Sequence, residues 1–388
     1  MRITLIALHF SEYSCRLAVA LAQQHDVQLI LSAPNVAAEL EDEFDVLQAH
    51  PRLTVVLLQH SRSPALYLRN AVRLVTGIKR FNPDVIHSHE DPKDYLVFAL
   101  ALLKRHYCFV MTVHDPIPHT GGDATAHYRT RQGFYQRLLR GWCDAAITHG
   151  EQLRRDLVAS APNLSGRVAN IPHGPLGSTH ISTKEPDPGA LLFFGRINAY
   201  KGLRYFVAAI LQLRVQGYAV TGIIAGRGED LAPNRAVIEA NDCFELHEEF
   251  VSRAKLHEFF GRAQLVVMPY TDATQSGVAA MAMGFGRPMV ATRVGSIPEM
   301  VRDGTTGLLV APKDASALAD AISTLLSNPA LYAQLAGNIR TACAGEFSWA
   351  SIAASTTRVY SDAITSRTRQ IPSKGLTQNF EQRKEDHQ

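Results

Sequence analysis

Short runs of β-branched and other apolar residues alternate with amphipathic stretches along most of the chain. This alternation restricts the fold more than any other feature of the sequence. The strand-like runs of a first series lie at 2–8, 27–32, 53–58, 84–89, 108–114, 145–150 and 167–174. Those of a second series lie at 190–195, 220–226, 243–250, 263–269, 288–292 and 307–310. Strands that alternate with helices form parallel sheets covered by helices on both faces. The sequence therefore predicts an α/β protein made of two doubly wound halves.

A polar, proline-bearing stretch without periodicity, 177–189, separates the two series, and we interpret it as an interdomain linker. A chain of 388 residues also favours two domains over one. Residues 347–364 form an amphipathic helical pattern, and the polar tail 366–388 is predicted to be disordered. Two doubly wound domains would place a ligand in the cleft between them, at the carboxyl ends of the strands.

Composition excludes several functional classes. The net charge of +3 does not indicate a nucleic-acid partner. The cysteines are odd in number, scattered and free of C-x-x-C spacing, which fits reduced thiols rather than a disulfide framework or a zinc site. The first residues do not resemble a signal peptide, and no apolar run approaches the roughly 20 residues that span a bilayer. We expect a cytoplasmic protein, or one lying peripherally at the inner face of the plasma membrane.

Glycines cluster just after strand ends in the second half, at Gly195, Gly226 and Gly277. Glycine at such a turn lets backbone N–H groups approach a ligand, and a helix start adds positive potential. The first turn also carries Arg196 and Lys201. Two cations beside a helix start favour a phosphate-bearing ligand, although a solvated pair of charges is the simpler alternative.

The second half resembles the family 4 glycosyltransferases of the GT-B fold, in which two Rossmann-like domains face each other across a cleft. The stretches that carry the resemblance are FFGRINAYKGLRYFV (193–207), IIAGRGED (223–230), VSRAKLHEFFGRAQLVVMPY (251–270) and the segment that begins QSGVAAMAMGFGRP (275–288). The first half matches more loosely, at FNPDVIHSH, VMTVHD and NIPHG. The resemblance implies an acceptor domain over 1–180, a nucleotide-sugar domain over 181–345, and a helix over 346–365 that closes back onto the first domain.

The resemblance implies a retaining transfer from a nucleoside-diphosphate sugar, with no cofactor. Negative charge grows on the diphosphate as the glycosidic bond breaks, and either a metal or fixed cations must stabilise it. No D-x-D motif occurs, so the resemblance assigns this role to Arg196 and Lys201 without a metal. The donor-site residues that it implies are Gly195, Arg196, Lys201, Gly226, Val251, Gln275, Ser276, Gly277 and Val278.

The sequence departs from the family at one pair of positions. Two glutamates eight residues apart are common in the family, but Ala273 and Met281 stand at the corresponding positions and offer no side-chain acceptor to a hydroxyl. The loop Gln275–Val278 is the expected substitute. Glu299 is either recruited to the donor or, as an acid near a helix start, a partner of the helix dipole.

In the first half the resemblance places His114 beside the donor sugar, and Asp115 is expected to orient its ring. The alternative for His114 is a strand-end histidine with purely structural hydrogen bonds. The same alternative applies to His173, which lies where the chain is expected to cross between the domains. Ser11, Glu12 and Tyr13 are expected to line the acceptor side, with Ser11 or Ser14 capping the first helix. The H-S-H motif at 87–89 read with His114 suggests a metal hydrolase, but this leaves the second half unexplained.

Two arginine-rich stretches, 62–80 and 128–142, contain apolar and aromatic residues and no acid. They fit either contact with an anionic membrane surface or ordinary helices with a solvated basic face. Membrane contact would suit a saccharide or lipid-linked saccharide acceptor, and analogy suggests synthesis of a surface or exported polysaccharide. The alternative function is a non-catalytic sugar-nucleotide-binding or scaffold protein, which the missing glutamate pair motivates. An epimerase or phosphorylase of the same fold has no supporting motif.

Overall fold

The computed structural model describes residues 1–40, 44, 50–59, 63–91, 93–117, 131–177 and 185–370. The predicted linker lies mostly outside this part of the chain. So do 371–388 of the predicted tail and the beginnings of both arginine-rich stretches. The predicted boundary between the domains, at 180, also falls outside it.

The first domain contains a seven-stranded sheet in the order β3-β2-β1-β4-β5-β6-β7, and each strand is parallel to its neighbours. Its strands are β1 (Arg2–Ala7), β2 (Asp26–Ser32), β3 (Leu53–Leu58), β4 (Val85–His89), β5 (Cys108–Thr112), β6 (Ala145–Thr148) and β7 (Val168–Asn170). Its helices are α1 (Ser11–Ala22), α2 (Ala33–Glu39), α3 (Pro64–Phe81), α4 (Asp94–Leu103), α5 (Arg131–Trp142) and α6 (Glu151–Ser160). The central strands β1 and β4 are buried almost throughout, as expected of a sheet covered on both faces.

The second domain contains a six-stranded parallel sheet in the order β10-β9-β8-β11-β12-β13. Its strands are β8 (Ala190–Phe194), β9 (Thr221–Ala225), β10 (Phe244–His247), β11 (Leu265–Met268), β12 (Met289–Thr292) and β13 (Gly307–Val310). Its helices are α7 (Leu203–Val215), α8 (Ala232–Glu239), α9 (Arg253–Arg262), α10 (Gly277–Gly284), α11 (Ile297–Met300), α12 (Ala315–Ser327) and α13 (Pro329–Ala344). Each predicted strand is therefore present, and the predicted α/β fold with two doubly wound sheets is confirmed.

The last helix, α14 (Trp349–Gln370), crosses from the second domain back to the first. It packs against α1, and its Tyr360 is fully buried beneath the first sheet. The hydroxyl of Tyr360 lies 2.6 Å from Nδ1 of His87, whose Nε2 lies 2.8 Å from the hydroxyl of Thr112. This buried hydrogen-bond chain fixes the crossing helix against β4 and β5.

The prediction of disorder from residue 366 is wrong for its first residues, because α14 continues to Gln370. Arg367 explains the extension. Its guanidinium binds the Asp144 carboxylate at 3.0 Å and donates to the carbonyl oxygens of Lys104 and Arg105 at 2.8 and 2.9 Å. The final turn is thus anchored to the first domain by contacts that a local sequence pattern does not reveal. Of the helices described, none has the length and apolar character that crossing a bilayer requires.

Replacing Tyr360 with Phe tests how α14 is held. Loss of the hydroxyl leaves Nδ1 of His87 buried without its partner, and we expect the free energy of unfolding to fall by about 1–3 kcal/mol. The midpoint of urea unfolding, followed by circular dichroism, measures the effect. Ser361→Ala, at the exposed next position of the same helix, is the matched control and should change stability by less than about 0.5 kcal/mol. Equal stability of the two variants would contradict the assigned role of Tyr360.

Candidate functional site

The carboxyl ends of the two sheets face each other across a cleft, and side chains meet directly across it. Nε2 of Gln275 lies 3.0 Å from Nδ1 of His114, and Thr274 donates a hydrogen bond to Asp115. A cavity of about 310 Å³ opens beside these contacts. Residues from both domains line it, among them Phe10, His173, Phe194, Val251, Gln275 and Met281. The structure therefore brings donor-side and acceptor-side candidates to one place.

Gly195 and Gly226 follow adjacent strands, and their backbones are in close contact. Gly195 has φ +106° and Gly226 has φ +140°, both in the region that favours glycine. A Cβ on Gly226 would lie 2.0 Å from the carbonyl oxygen of Gly195. A Cβ on Gly195 would lie 2.7 Å from Nζ of Lys201. Gly226 thus allows the close approach of the two turns, and Gly195 leaves room for the ammonium group of Lys201.

Lys201 ends a short 3-10 turn that precedes α7, and only 8% of its surface is exposed. Its ammonium group donates to the carbonyl oxygen of Phe194 at 3.4 Å and lies 5.1 Å from the ring centre of Tyr270. Burial lowers the pKa of Lys201 to about 8, and the neighbouring charge of Arg196 acts in the same direction. Arg196 itself is exposed. A buried lysine beside an exposed arginine is a concentration of positive charge that an anion would stabilise.

Helix α10 begins in the cleft next to this pair of cations. Ser276 caps it, since the serine hydroxyl accepts the amide of Ala279 at 3.2 Å. Ser276, predicted to contact the donor, thus has a structural role through its side chain. Gly277 lines the cavity, and Val278 packs near Gly195. The amides of Gly277 and Val278 belong to the first helical turn, whose donors have no carbonyl partner within the helix.

His114 takes part in a hydrogen-bond chain whose direction can be assigned. An amide nitrogen only donates, so Gln275 donates to Nδ1 of His114. Nε2 of His114 then carries the proton and donates to Nδ1 of His89 at 2.7 Å. Nε2 of His89 in turn donates to the hydroxyl of Ser14 at 3.2 Å, and Ser14 donates to the carbonyl oxygen of Phe10 at 2.8 Å. His114 is thereby fixed as one neutral tautomer, with Phe10 stacked on its ring at 4.0 Å.

A histidine stands at or just after the end of each of four neighbouring strands, β4 to β7. The rings of His89, His114, His149 and His173 follow one another at 5.0–5.1 Å between centres, and His87 stacks on His89 at 5.8 Å. All of these rings are buried. Burial lowers the pKa of His87 and His149 to about 3 and of His173 to about 4. Burial and the neighbouring rings also hold the pKa values of His89 and His114 well below the usual range. We call these five residues the histidine cluster.

The predicted acceptor-side residues of α1 are all buried. Tyr13 lies within the histidine cluster, 4.9 Å from the ring of His173 and 5.1 Å from that of His149. The Ser11 hydroxyl has no partner among the residues described. Glu12 lines the cavity, but its carboxylate accepts from Arg16 at 2.7 Å and from the amide of Gly177 at 2.8 Å. Its oxygens therefore already have protein partners.

The expectation that Ser11 or Ser14 caps α1 is wrong. The capping position is Phe10, in the left-handed conformation with φ +61°, and its side chain makes no capping bond. Ser14 lies inside the first turn. The carboxylate of Glu39 instead accepts the amide of Glu12 at 3.1 Å. A carboxylate from α2 therefore occupies the positive end of α1.

Asp115 and His173 are placed differently from one another. Asp115 is exposed, and it binds Thr274 across the cleft, whereas Gln275 is the residue that holds Nδ1 of His114. His173 is buried with Nδ1 2.7 Å from the carbonyl oxygen of Gly174, and it lines the cavity. Both residues thus lie at the cleft, His173 with a structural hydrogen bond as well.

The departures from the family pattern are visible in the cavity wall. Met281 lines the cavity, whereas Ala273 is buried with its carbonyl oxygen against Gly295. Glu299 does not reach towards Lys201. Both of its carboxylate oxygens accept the amide of Glu151 at 2.7 Å, so Glu299 stabilises the start of α6 in the other domain. The helix-dipole interpretation is thus supported, with a helix remote in sequence as the partner.

Sequence reasoning missed several cleft residues. Arg253, at the start of α9, is buried and donates to the carbonyl oxygens of Glu39 and Gly177 at 3.0 and 2.8 Å, which joins the two domains. No local pattern marks such a residue. His149 could have been predicted from the sequence. The stretch THG (148–150) at the end of β6 repeats the strand-end histidine of TVHD (112–115) at the end of β5. Its Nε2 has no partner among the described residues. Within the described ranges, no group of histidine, cysteine and acidic side chains is arranged to hold a metal.

Two family models match successive parts of the chain. The model described as Glycosyltransferase Family 4 matches residues 11–174. The model described as Glycosyl transferases group 1 matches residues 188–328. Together they include both sheets apart from the first strand.

Relatives that are similar in sequence are named as glycosyltransferases or as glycogen synthases. A glycogen synthase of Mycobacterium tuberculosis is 28% identical over 297 residues, which is 73% of this chain and 69% of the relative. An MMP alpha-(1->4)-mannosyltransferase of Mycolicibacterium hassiacum is 26% identical over 78% of this chain and 75% of its own. A D-inositol 3-phosphate glycosyltransferase of an Arthrobacter strain is 32% identical over 45% of this chain and 42% of its own.

Solved structures share the fold at low identity. The sucrose-phosphate synthase of Thermosynechococcus elongatus superposes with a TM-score of 0.69 at 20% identity, over 94% of this chain and all of that one. Anabaena HepE in complex with UDP-glucose superposes with a TM-score of 0.68 at 17% identity, over 93% of this chain and all of that one. The similarity therefore covers both sheets and the cleft between them.

The histidine cluster predicts acid sensitivity. In the unfolded chain these histidines take up protons near pH 6.5, whereas in the fold His87, His149 and His173 resist protonation down to about pH 3–4. Their contribution to stability is complete above pH 6.5 and is lost as the pH falls from 6.5 towards 3–4. The loss per histidine is at most about 1.4 kcal/mol per pH unit. Urea unfolding at pH 7.5, 6.5 and 5.5 should therefore show a steep decline below pH 6.5.

The matched variants are His149→Asn, which removes one buried ring, and His106→Asn, which removes an exposed one. The first should reduce the slope of unfolding free energy against pH by up to about 1.4 kcal/mol per pH unit, which corresponds to one proton. The second should leave the slope unchanged. A flat profile between pH 7.5 and 5.5 in the wild-type protein would contradict this interpretation.

Proposed function

The chain belongs to the group 1 glycosyltransferases of family 4, and from this premise we propose that it transfers a sugar from a nucleoside-diphosphate sugar to a saccharide or lipid-linked saccharide. The observation that carries the proposal is the position of Lys201. Its ammonium group is buried over Gly195 at the end of β8, next to Arg196. A cation so buried, and without an acidic partner among the described residues, is suited to bind a diphosphate.

In the proposed step the bond between the anomeric carbon and the terminal phosphate oxygen breaks, and its electron pair passes to that oxygen. Lys201 and Arg196 stabilise the new negative charge. The first-turn amides of Gly277 and Val278 add the positive end of α10. These groups are fixed before the reaction, so little reorganisation accompanies the charge transfer. They also support a transfer that needs no metal ion, with a nucleoside diphosphate as the leaving group.

Gln275 is proposed to contact the donor sugar. Its amide nitrogen is engaged by His114, whereas its carbonyl oxygen is buried and has no partner in the described chain. Because Gln275 lines the cavity, a sugar hydroxyl can donate to this oxygen. His114 holds Gln275 in place and lies next to the same site. This arrangement would supply part of the hydroxyl recognition that Ala273 and Met281 do not provide.

We propose that the anomeric configuration is retained, as the family resemblance implies. The acceptor hydroxyl then attacks from the face that the phosphate leaves, and the departing phosphate oxygen takes its proton. No side-chain nucleophile takes part in this step. The donor site and the acceptor site lie on opposite walls of the cleft, so closure of the cleft brings the reactants together.

The acceptor is proposed to present hydroxyl groups rather than an anion at the start of α1. The Glu39 carboxylate already occupies that helix terminus, which would otherwise attract a phosphate. Relatives named glycogen synthase and mannosyltransferase also support a saccharide acceptor. Surface or exported polysaccharide synthesis is the task we propose. A cytoplasmic location belongs to the same proposal, supported by five cysteines that form no disulfide.

Hydrolysis of the donor tests the transfer activity without knowledge of the acceptor. The wild-type protein, incubated with UDP-, GDP- and ADP-linked glucose and mannose, should release the nucleoside diphosphate slowly from at least one of them. Arg196→Ala should lower this rate by about 100-fold or more, because one charge that stabilises the leaving group is lost. Release of the nucleoside diphosphate is measured by chromatography.

Arg214→Ala is the matched control, since Arg214 is an exposed arginine in the last turn of α7, at the end remote from the cleft. Its rate should equal that of the wild type, and EDTA should leave both rates unchanged. Binding of a donor without any release would contradict catalysis and support a sugar-nucleotide-binding protein. Loss of activity with EDTA and its recovery with Mg²⁺ would contradict the metal-independent step.

A further inference from the structure

Three helices of the first domain, α3, α4 and α5, lie side by side on one face of the sheet. The rings of Tyr67 and Tyr95 join the starts of α3 and α4 at 5.5 Å between centres. Arg131 pairs with Asp94 at 3.1 Å where α5 and α4 begin, and Lys104 lies 4.0 Å from the Trp142 ring where they end. The helices therefore run parallel and in step, with their opposite sides packed on the sheet core.

The outer surface of these helices carries an apolar band. Exposed fractions are 64% for Leu68, 51% for Val72, 57% for Phe98, 50% for Leu102 and 50% for Phe134. The five residues lie between the fourth and the ninth position of their helices. Because the helices are parallel and begin at the same level, these side chains lie next to one another across the surface. They make up five of the ten large apolar residues exposed in the described chain. Single exposed apolar residues are common on protein surfaces, but a band across three helices is typical of an interaction site.

Positive charges surround the band. Exposed basic residues on the three helices or just after them are Arg69, Arg73, Lys79, Arg80, Arg105, Arg131 and Arg137. The three helices contain a single acid, Asp94, and it is paired with Arg131. The whole chain has a net charge of only +3, so this face is far more basic than the molecule as a whole. A band of apolar side chains within a basic field complements an anionic lipid surface.

We propose that this face, which we call the basic apolar face, binds peripherally to a bilayer containing anionic lipids. The five apolar side chains enter the headgroup region, and the arginines and lysines contact lipid phosphates. Of the described helices, none is suited to span the bilayer, so contact of this kind remains at the surface. The two arginine-rich stretches of the sequence supply α3 and α5. The structure shows that α4 lies between these two helices, so that its Phe98 and Leu102 occupy the middle of the face.

The geometry also orients the cleft. Each of the three helices follows a strand, so its first turn lies towards the carboxyl edge of the sheet, where the cleft opens. Leu68, Phe98 and Phe134 stand in the first two turns, near that edge, and Val72 and Leu102 stand about one turn further from it. A bilayer bound to this face therefore lies beside the cleft entrance, within reach of an acceptor carried on a lipid. Binding to the bilayer itself does not depend on the proposed transfer activity.

Vesicle flotation tests the proposal directly. The full chain is mixed with vesicles of phosphatidylcholine alone or with 30% phosphatidylglycerol, at low and at physiological salt. We expect flotation with the anionic vesicles only, and weaker flotation as salt rises. Arg69→Glu combined with Arg73→Glu should weaken binding at least tenfold, since each basic residue near an anionic surface contributes about fivefold. Leu68→Ser combined with Phe98→Ser should weaken it similarly at both salt concentrations.

Matched controls are Lys313→Glu and Val215→Ser, which change an exposed charge and an exposed valine of the second domain. Both should float like the wild type. Because all of these positions are exposed, thermal melting should show each variant to be folded. The proposal is overturned if the wild-type protein does not float with anionic vesicles at low salt, or if the controls weaken flotation as much as the test variants. A protein that instead forms a dimer, lost in the Leu68→Ser/Phe98→Ser variant, without binding vesicles would also overturn it.

Discussion

Every pair of neighbouring strands in the described chain is parallel, and the arrangement of the cleft follows from this constraint. Parallel strands all end at the same edge of their sheet, so the loops that follow them collect there. In the second sheet this edge brings together Gly195, Lys201 and the start of α10. In the first sheet it collects the strand-end histidines. The hydrogen bond between Gln275 and His114 joins these two edges across the cleft.

The two edges differ in their electrostatics. On the second sheet, burial leaves Lys201 with a lowered pKa, and a bound anion would raise this pKa again. On the first, burial keeps five histidines neutral, and a hydrogen-bond chain links two of them, His89 and His114, to Gln275 in the other domain. Charge for the leaving group thus comes from one domain, whereas the other provides uncharged, orientated groups. This division fits a reaction in which negative charge develops on the diphosphate as the glycosidic bond breaks.

The sequence predicted what depends on local patterns. Strand positions followed from runs of apolar residues, Gly195 and Lys201 were singled out by the turn after a strand, and His114 by the family resemblance. Contacts between residues far apart in sequence were not predictable in this way. Glu39 caps α1, Glu299 binds the start of α6, and Arg367 extends α14, each through a partner that no spacing rule identifies. The same limit explains why Arg253 was missed. The cap that Ser276 places on α10 is, in contrast, a local contact, since its partner Ala279 lies three residues further along the chain.

Calorimetric titration with UDP, GDP and ADP at pH 7 and pH 9 tests the central claim, that Lys201 binds the diphosphate of the donor. Burial puts the pKa of Lys201 at about 8 in the free protein, and a bound diphosphate would raise it. At least one of the nucleotides should therefore bind about tenfold more weakly at pH 9 than at pH 7, since a proton must then be taken up. Lys201→Arg, whose charge does not titrate in this range, should bind equally at both pH values. Equal affinity of the wild-type protein at pH 7 and pH 9, or no binding of any of the three nucleotides, would contradict the account.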